Sequence, residues 1–305
     1  MRGVVLGGIP WYSVAGFERE PGRSRTVAVR KHCPPAESKG ADVNPLNEPR
    51  RALVTGASSG IGAALARRLA GRGIEVWLAA RRQAALEQLA AEIIAAGGRA
   101  HSIVLDISRL DETHDRLAEL DRDAGGIDLV VANAALAGAA AAKRLADSTW
   151  PEIRDILSTD LTGSVATLVP FIPGMLARGH GHLVGISSIA ADVTNPRANP
   201  YGAAKAGFTM FLETADIELR PRGIAVTIVH PGFVRTPATD SLDDPLPFLV
   251  PLERAIDAID AGIRSRALYV RFPWQLHLLV GLQRLLPRRI RHPLIRLATA
   301  ERGRR

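Results

Sequence analysis

Tyr201 and Lys205 have the residue types and the spacing from which proton-transfer chemistry is expected. On a helix, residues at positions i and i+4 lie on the same face, so the phenol and the ammonium could act together. A phenol has an ordinary pKa of about 10, and a nearby cation stabilises the phenolate and lowers that pKa. Such a tyrosine could protonate a carbonyl oxygen as hydride reaches the carbonyl carbon, or accept the proton of an alcohol in the reverse direction.

The composition argues against an accidental pairing of this kind, because the 305 residues include only three tyrosines and four lysines. Arginine fills nearly every other basic position, so a lysine here indicates a need for a compact ammonium in place of a planar guanidinium. An ordinary amphipathic helix start is the other interpretation. Ser187 and Ser188 precede this segment. A hydroxyl there could donate a hydrogen bond to a substrate oxygen that gains negative charge, although a serine pair alone is more typical of a turn.

A glycine-rich segment, Thr55 to Gly62, follows the first apolar run after residue 50 and has the spacing G-x-x-x-G-x-G. Glycines at such a turn let the backbone approach a pyrophosphate, and the N-terminus of the helix that follows favours the negative charge. A tight strand-to-helix connection without a ligand is the alternative. The candidate phosphate-binding residues are Gly56, Ser58, Ser59, Gly60, Ile61 and Gly62.

Arg81 and Arg82 stand at the end of the second predicted strand, where an NAD-binding site usually has a carboxylate against the ribose hydroxyls. Guanidinium groups instead offer bidentate contacts to a 2′-phosphate. The sequence therefore favours NADP(H) over NAD(H) as the cofactor, with Arg81 as the first candidate and Arg82 as the second. In the alternative interpretation the two arginines only begin a solvated helix.

Asp106 and Asn133 follow the third and fourth predicted apolar runs. Asp106 could hydrogen-bond an adenine edge, or it could cap the next helix. Asn133 could hold neighbouring backbone or the cofactor, or it could serve the turn alone. His182 and His230 lie at strand ends with no second ligand at chelating spacing, so we expect structural histidines and no metal.

Short apolar runs alternate with longer segments of helical period from residue 51 onward, which is the pattern of βαβ units around a parallel sheet. The predicted strands are Ala52–Thr55, Ile74–Ala80, Ala100–Leu105, Ile127–Ala132, His182–Ile186, Ala225–His230 and Ala267–Val270. The clearest predicted helices are Ile61–Ala70 and Gln83–Ala96. We therefore predict a doubly wound, Rossmann-type α/β fold in one domain, with a mostly parallel sheet of about seven strands.

Composition limits the compartment and the kinds of partner. The single cysteine, Cys33, cannot form an intramolecular disulfide, which favours a reducing, cytoplasmic location. We find no run of roughly 20 uncharged apolar residues and expect no membrane-spanning helix. The formal charge of +8 is concentrated in residues 263–305, which hold eleven arginines and one acidic residue, whereas the middle of the chain is net acidic. Nucleic-acid binding is therefore disfavoured.

The chain is predicted to have three segments. Residues 1–50 are rich in proline, glycine, arginine and serine without a sustained period, and we expect a disordered extension there. Residues 51–271 form the α/β domain. Residues 272–305 form a basic amphipathic tail that could pack against the body or a second subunit, lie peripherally on an anionic membrane surface, or act as a lid.

With these motifs in chain order, the segment from Arg51 to Pro237 resembles the short-chain dehydrogenase/reductase family, in the subgroup with the TGxxxGIG turn and the YxxxK pair. The resemblance implies a catalytic serine thirteen residues before the tyrosine, which selects Ser188. It matches Asn133 to an N-x-A element that supports the sheet, and Asp106 to the adenine contact. It also implies a homodimer or homotetramer, and a substrate lid at residues 237–252. The loop expected against the nicotinamide and its phosphates contains Pro231, Gly232 and Thr236.

Asp160 departs from the family pattern, which has asparagine before Leu-x-Gly in the preceding long helix, where it holds a water in a proton relay. An aspartate can still accept hydrogen bonds from water and lysine, but its negative charge would raise the pKa of Tyr201. We expect catalysis to survive, with a slower rate or a shifted pH optimum.

The sequence thus predicts an NADP(H)-dependent oxidoreductase that interconverts a carbonyl and a secondary alcohol, with Ser188, Tyr201, Lys205 and Asp160 as catalytic residues. The apolar lid and tail suggest an apolar substrate. A regulator that binds NADPH without turnover is the alternative. The aspartate opens that possibility, and the intact serine, tyrosine and lysine disfavour it.

Overall fold

The computed structural model of the protein describes residues 48–136, 138, 143–240, 242 and 246–299. The predicted disordered extension, residues 1–50, lies almost entirely outside this range. Its last residues, 48–50, are described, and the backbone N–H of Arg50 donates to Asp128 Oδ2 at 2.9 Å. The chain just before the first strand is therefore attached to the domain.

Seven strands form a single sheet in the order β3-β2-β1-β4-β5-β6-β7, and every pairing between neighbours is parallel. The strands are β1 (Arg51–Thr55), β2 (Glu75–Ala80), β3 (Ala100–Val104), β4 (Leu129–Ala132), β5 (Gly181–Ile186), β6 (Ile224–Pro231) and β7 (Tyr269–Phe272). This arrangement confirms the predicted doubly wound α/β fold. The sheet was predicted to be mostly parallel, and all of its described pairings are parallel.

Helices cover both faces of the sheet. They are α1 (Gly60–Gly71), α2 (Gln83–Ala95), α3 (Leu110–Asp123), α4 (Trp150–Leu157), α5 (Ser164–Leu168), α6 (Ile172–Arg178), α7 (Asn199–Leu219), α8 (Pro237–Asp240), α9 (Leu252–Ser265), α10 (Trp274–Leu285) and α11 (Arg288–Thr299). Leu69 of α1 and Ile259 of α9 belong to one apolar core, and Leu117 of α3 and Phe208 of α7 belong to the other. The central strands are buried on both sides, which is why they read as continuous apolar runs.

Two predicted strand starts are wrong by two residues, because capping interactions occupy the chain there. β7 begins at Tyr269 and not at Ala267, since Arg266 ends α9 with a φ of 50° and the N–H of Ala267 donates to Gly262 O. β4 begins at Leu129 and not at Ile127, since the N–H of Ile127 donates to Asp121 Oδ1 at 2.7 Å. The end of β7 is also two residues later than predicted, at Phe272, and every other predicted boundary agrees with the structure to within one residue.

The helical run Trp150–Arg178 joins α4, α5 and α6, and it has the length and mean hydropathy of a membrane span, which the sequence analysis did not anticipate. Leu168, Phe171 and Met175 in this run are fully buried in the second core. Burial of this kind is typical of a core helix. The run contains one π-helical turn, Ser158–Gly163, and such turns are frequent at functional sites.

The order of the strands determines where a ligand can bind. The chain passes from β1 outward to β2 and β3, then returns to β4 on the other side of β1. The connections after β1 and β4 therefore leave the sheet in opposite directions. A crevice opens at such a switch point beyond the carboxyl ends of the strands, and ligands of open α/β sheets bind there.

Candidate active site

A cavity of about 690 Å³ lies at the carboxyl ends of the central strands. Its walls bring together almost all of the residues that the sequence analysis singled out. Those that line it are Gly56, Ser58, Ser59, Gly60, Ile61, Arg81, Arg82, Asp106, Asn133, Ser188, Tyr201, Lys205, Pro231, Gly232 and Thr236. Gly62 and Asp160 do not line the cavity, and each lies behind residues that do.

The glycine turn between β1 and α1 has a geometry that strongly favours glycine. Gly56 and Gly60 have φ angles of +67° and +57°, in the left-handed region that side chains disfavour. A Cβ on Gly62 would lie 2.4 Å from the carbonyl oxygen of Gly56 and 2.6 Å from Nδ2 of Asn133. The turn is therefore closed behind, and its open side and the N-terminus of α1 face the cavity. These features fit a pyrophosphate group.

Asn133 holds the turn from behind. Its Nδ2 donates to the carbonyl oxygen of Thr55 at 2.9 Å, and its backbone N–H donates to Thr55 Oγ1 at 3.1 Å. The same hydroxyl donates to Val131 O at 3.3 Å. Of the alternatives left open for Asn133, the structure thus shows contact with neighbouring backbone.

The two arginines at the end of β2 occupy different places. Arg82 donates to Ser58, with its guanidinium 3.0 Å from Ser58 Oγ and 3.1 Å from Ser58 O. Arg81 lines the cavity near Asp106, whose pKa its charge helps to lower. Both side chains are exposed. A basic pair therefore stands where an acidic residue would contact the ribose in an NAD site.

Asp106 folds onto Ser108. Burial raises the pKa of Asp106, but two hydrogen bonds from Ser108 and the charges of Arg81 and Arg109 outweigh that effect and lower the pKa overall. The Oδ1 atom accepts from Ser108 Oγ at 2.8 Å and from the N–H of Ser108 at 3.1 Å. The residue that caps α3 is Arg109, so the interpretation of Asp106 as the N-cap is wrong. Asp106 lines the cavity, and its contact with an adenine stays a prediction.

Tyr201 and Lys205 lie in the first two turns of α7. Pro200 occupies a first-turn position, which suits its fixed φ and missing N–H. Lys205 Nζ lies 5.7 Å from the centre of the Tyr201 ring and donates to Ile186 O at 3.1 Å. Only 1% of Lys205 is exposed. The predicted pair therefore forms one unit at the end of β5.

The two serines after β5 point in different directions. Ser188 Oγ accepts a hydrogen bond from the N–H of Ala190 at 3.0 Å, which fixes the hydroxyl beside Tyr201. Ser187 Oγ is turned toward α7, where it donates to Lys205 O at 3.2 Å and lies 2.8 Å from Thr209 Oγ1. Only the Ser188 hydroxyl is positioned to reach a molecule held at Tyr201.

The pKa of Tyr201 is raised, which corrects the expectation that it would be lowered. Burial disfavours the phenolate, the Asp160 carboxylate raises the pKa further, and the Ser188 hydroxyl opposes the shift. Burial also lowers the pKa of Lys205, although Asp160 acts in the opposite direction. The phenol is therefore protonated at neutral pH.

Asp160 lies in the π-helical turn, fully buried. Its Oδ1 accepts the N–H of Leu136 at 2.7 Å, and its Oδ2 has no hydrogen-bond partner within the described part of the chain. Burial raises the pKa of Asp160 from 3.8 to about 6, against the lowering effects of Lys205 and the Leu136 hydrogen bond. A buried carboxylate that titrates near neutral pH thus stands behind the tyrosine and lysine.

A model of the short chain dehydrogenase family matches residues 50–246, which is well over half of the chain. The chain belongs to the short-chain dehydrogenase family. An uncharacterized oxidoreductase of Myxococcus xanthus is 42% identical over 238 residues, covering 78% of this chain and 93% of that protein. A putative ketoacyl reductase of Streptomyces coelicolor is 37% identical over 216 residues, covering 70% of this chain and 82% of that protein.

A solved structure gives the same assignment. A short-chain dehydrogenase from Sphingobium yanoikuyae, in complex with NADPH, superposes with a TM-score of 0.68 at 28% identity, covering 84% of this chain and 98% of that chain. The resemblance inferred from the motifs is confirmed. The chain is an oxidoreductase that acts on CH–OH groups.

This short-chain dehydrogenase contains a buried polar network that its sequence did not predict. Thr209 Oγ1 lies 2.8 Å from Ser187 Oγ and 3.2 Å from His230 Nε2, and His230 Nδ1 lies 2.7 Å from Asp192 Oδ2. The network links β5, α7 and β6 behind the cavity. Its members are scattered from residue 187 to residue 230, so no local pattern could have revealed it.

His182 and His230 have partners inside the protein. His182 Nε2 lies 2.8 Å from Thr227 Oγ1, and burial, with Arg266 and Arg220, lowers the pKa of His182 to about 3. Within the described ranges, no group of three histidine, cysteine, aspartate or glutamate side chains is placed to hold a metal ion. A metal-free active site stays a prediction.

Apolar side chains form the end of the cavity away from the glycine turn. They include Leu136, Ile189, Val193, Phe233, Leu242 and Leu276. Leu276 belongs to α10, so the C-terminal tail contributes to the site, which its apolar period alone could not have shown. At the other end Thr236 lies beside the glycine turn, with its Cγ2 3.4 Å from the Cβ position of Gly60.

Proposed function

We propose that this short-chain dehydrogenase is an NADP(H)-dependent enzyme that interconverts an apolar carbonyl compound and the corresponding secondary alcohol. The observation that carries the proposal is the single cavity that joins a glycine turn and two arginines to Ser188, Tyr201 and Lys205. Its direct test is carbonyl-dependent consumption of NADPH, compared between the native protein and Tyr201→Phe.

The cofactor would lie between the glycine turn and Tyr201. The cradle behind the turn, where a Cβ on Gly62 cannot fit, supports close approach of a pyrophosphate to the backbone. Asp106 would receive the adenine, Pro231, Gly232 and Thr236 would lie against the nicotinamide half, and Arg81 and Arg82 would contact a 2′-phosphate. NADP(H), when bound, supplies or accepts the hydride.

Tyr201 would move the proton at the substrate oxygen. Its raised pKa keeps the phenol protonated, which suits donation to a carbonyl oxygen. In alcohol oxidation the phenol must first lose its proton, and Lys205 and the positive charge of an oxidised nicotinamide would both favour the phenolate. Ser188 would donate a hydrogen bond to the same oxygen as negative charge develops on it.

Asp160 would accept a hydrogen bond in the polar region behind Lys205. Its unpartnered Oδ2 is an acceptor for a water molecule or for the ammonium, which is the role that the resemblance gives to asparagine at this position. Because its carboxyl titrates near neutral pH, its charge, and with it the pKa of Tyr201, would depend on pH.

The substrate is proposed to be apolar because the free end of the cavity is lined by aliphatic and aromatic side chains. Residues 237–252, between β6 and α9, stay the predicted substrate lid. The Streptomyces relative is named a putative ketoacyl reductase, and a ketone carried on an acyl chain fits this apolar wall.

Substitution of Arg81 should change the preference for NADPH over NADH. Arg81→Ala is expected to lower the affinity for NADPH roughly ten-fold or more, the loss of one charge-assisted contact, and to leave the affinity for NADH unchanged. Arg82→Ala should weaken both cofactors, since Arg82 also holds Ser58 of the turn. Fluorescence titration with each nucleotide measures this, with Arg122→Ala on α3 as the control. An unchanged ratio of NADPH to NADH affinity in Arg81→Ala would remove the basis for the NADP(H) preference.

Asp160→Asn should shift the pH dependence of alcohol oxidation. Above about pH 6 the native carboxylate is charged and raises the pKa of Tyr201. An asparagine removes that charge, so the phenolate forms more readily and the rising limb of the pH–rate profile moves to lower pH. A profile identical to that of the native protein would show that Asp160 is not coupled to Tyr201.

The same variant should change the pH dependence of stability. The folded-state pKa of Asp160 is above its ordinary value of 3.8, so the folded protein binds more protons than the unfolded chain between pH 3.8 and about 6. The contribution of Asp160 to stability is therefore fully present below that window and is lost as pH rises through it. Chemical unfolding across this range should show the loss in the native protein and not in Asp160→Asn.

A further inference from the structure

The two C-terminal helices expose an apolar stripe. On α10 it consists of Trp274, Leu278, Leu282 and Leu285, spaced as i, i+4, i+8 and i+11, and on α11 of Ile290, Leu294 and Leu297, spaced as i, i+4 and i+7. Each set lies on one face of its helix. Trp274 is 68% exposed and Leu285 80% exposed. Single exposed apolar residues are ordinary, but a continuous stripe indicates an interaction surface.

The same helices are strongly basic. Residues 272–299 contain five arginines and no aspartate or glutamate. Arg288, Arg289 and Arg296 of α11 are exposed, and Arg284 of α10 lies 3.4 Å from Asp192. An apolar face flanked by arginines is the combination that binds at the surface of an anionic bilayer.

The opposite sides of both helices are already packed against the body of the protein. Val280 of α10 and Ile295 of α11 are buried, and His277 Nε2 lies 2.9 Å from His230 O. The stripe is therefore on the outward side of the two helices, and the described domain core does not cover it.

The helices also border the active-site cavity. Leu276 of α10 lines it. Near the end of α11 the carbonyl oxygen of Thr299 accepts hydrogen bonds from Arg144 and from Arg197, the latter at 3.5 Å. Arg197 stands between Asn195 and Ala198, which both line the cavity. The stripe is thus attached to the rim of the substrate end.

We propose that α10 and α11 form a docking surface for anionic phospholipid bilayers, and that docking brings the substrate end of the cavity to the membrane, where apolar carbonyl compounds dissolve. The docking half of the proposal rests only on the stripe and the arginines. The delivery half rests on the proposed function.

A bilayer fits this surface better than a second copy of the chain. A symmetric contact through the stripe would bring the exposed Arg288, Arg289 and Arg296 of the two copies close together, and neither helix has an acidic residue to offset them. An anionic lipid surface supplies the opposite charge and an apolar interior together.

The test is flotation of the full-length protein with two kinds of vesicle. One contains phosphatidylcholine alone, and the other contains phosphatidylcholine with about 30% phosphatidylserine. We expect binding to the anionic vesicles that weakens with salt. The combined variant Arg288→Gln, Arg289→Gln and Arg296→Gln should lower that affinity on the order of a hundred-fold, about five-fold for each arginine. The combined variant Leu278→Gln, Leu282→Gln, Leu294→Gln and Leu297→Gln should abolish it.

Ile94→Gln and Arg122→Gln, exposed positions on α2 and α3, are the matched controls and should bind vesicles as the native protein does. Sedimentation velocity of the same proteins measures their oligomeric state and so tests whether a second copy of the chain covers the stripe. The proposal is overturned if the native protein does not bind vesicles, or if it binds both kinds of vesicle equally. So does a leucine variant that changes the oligomeric state and leaves vesicle binding intact, because the stripe would then face a second copy.

Two substrates separate docking from catalysis. A water-soluble ketone should be reduced equally well by the native protein and the stripe variants, whose changed residues do not line the cavity. A long-chain ketone in anionic vesicles should be reduced at least ten-fold more slowly by the variants. Equal rates with the vesicle-borne ketone would overturn delivery. Vesicle binding without turnover of either ketone would instead contradict the proposed function and leave docking standing.

Discussion

Tyr201→Phe is expected to lower the rate of carbonyl reduction by a factor on the order of 10² to 10⁴, the usual contribution of a general acid. The substitution removes only the phenol oxygen. The ring that remains keeps its place in the cavity wall and its distance of 5.7 Å from Lys205 Nζ. The affinity for NADPH should therefore stay within about two-fold of the native value, well below the ten-fold change that 1.4 kcal/mol would cause.

The matched control is Tyr269→Phe. Tyr269 lies in β7, donates a hydrogen bond to Glu213 and does not line the cavity. Removing its hydroxyl should leave the turnover rate unchanged, and any effect should appear in thermal stability. If Tyr201→Phe retained native turnover, Tyr201 would not be the proton donor. If it lost NADPH binding together with turnover, the residue would be a binding residue and the proposed division of roles would be wrong.

Gly62→Ala is expected to weaken NADPH binding roughly ten- to a hundred-fold, because overpacking of a fixed site costs about 1–3 kcal/mol. The added methyl group would lie 2.4 Å from Gly56 O and 2.6 Å from Asn133 Nδ2. Neither neighbour can move freely, since one is backbone and the other is hydrogen-bonded to Thr55 O. The turn must therefore open, and its N–H groups leave the positions proposed for phosphate binding.

The control for this change lies at the other end of the same helix. Gly71 ends α1, and a Cβ there would meet nothing within 4 Å. Gly71→Ala should bind NADPH normally and be as stable as the native protein or more so, because alanine favours helix. Titration with NADPH and thermal unfolding of both variants separate the site effect from a folding effect. Native affinity in a folded Gly62→Ala protein would contradict the cradle proposed for the pyrophosphate.

The fold was predictable because its signals are local. Strands such as β5 and β6, buried on both faces, appear as mainly apolar runs, and the longer helical periods between them indicate parallel connections. The glycine turn and the Tyr201–Lys205 pair are also local patterns, each shorter than ten residues. Their meeting in one cavity follows from parallel strands, whose carboxyl ends share one edge of the sheet.

The remaining features depend on contacts that no segment records by itself. The raised pKa of Asp160 comes from burial by several elements. The expected lowering of the Tyr201 pKa failed because burial of the phenol and the charge of Asp160 raise that pKa, and the hydrogen bond with Ser188 does not offset them. Leu276 joins the cavity only because α10 packs beside β6 and β7. β7 begins two residues later than predicted because Arg266 and Ala267 end the preceding helix.

The decisive measurement is the near-ultraviolet absorbance of reduced nicotinamide, followed with the native protein, an apolar ketone series, and NADPH or NADH. The proposed function predicts ketone-dependent loss of absorbance, faster with NADPH than with NADH, with one alcohol formed for each NADPH consumed. Tight binding of NADPH with no consumption across the series would contradict it and favour a nucleotide-binding regulator.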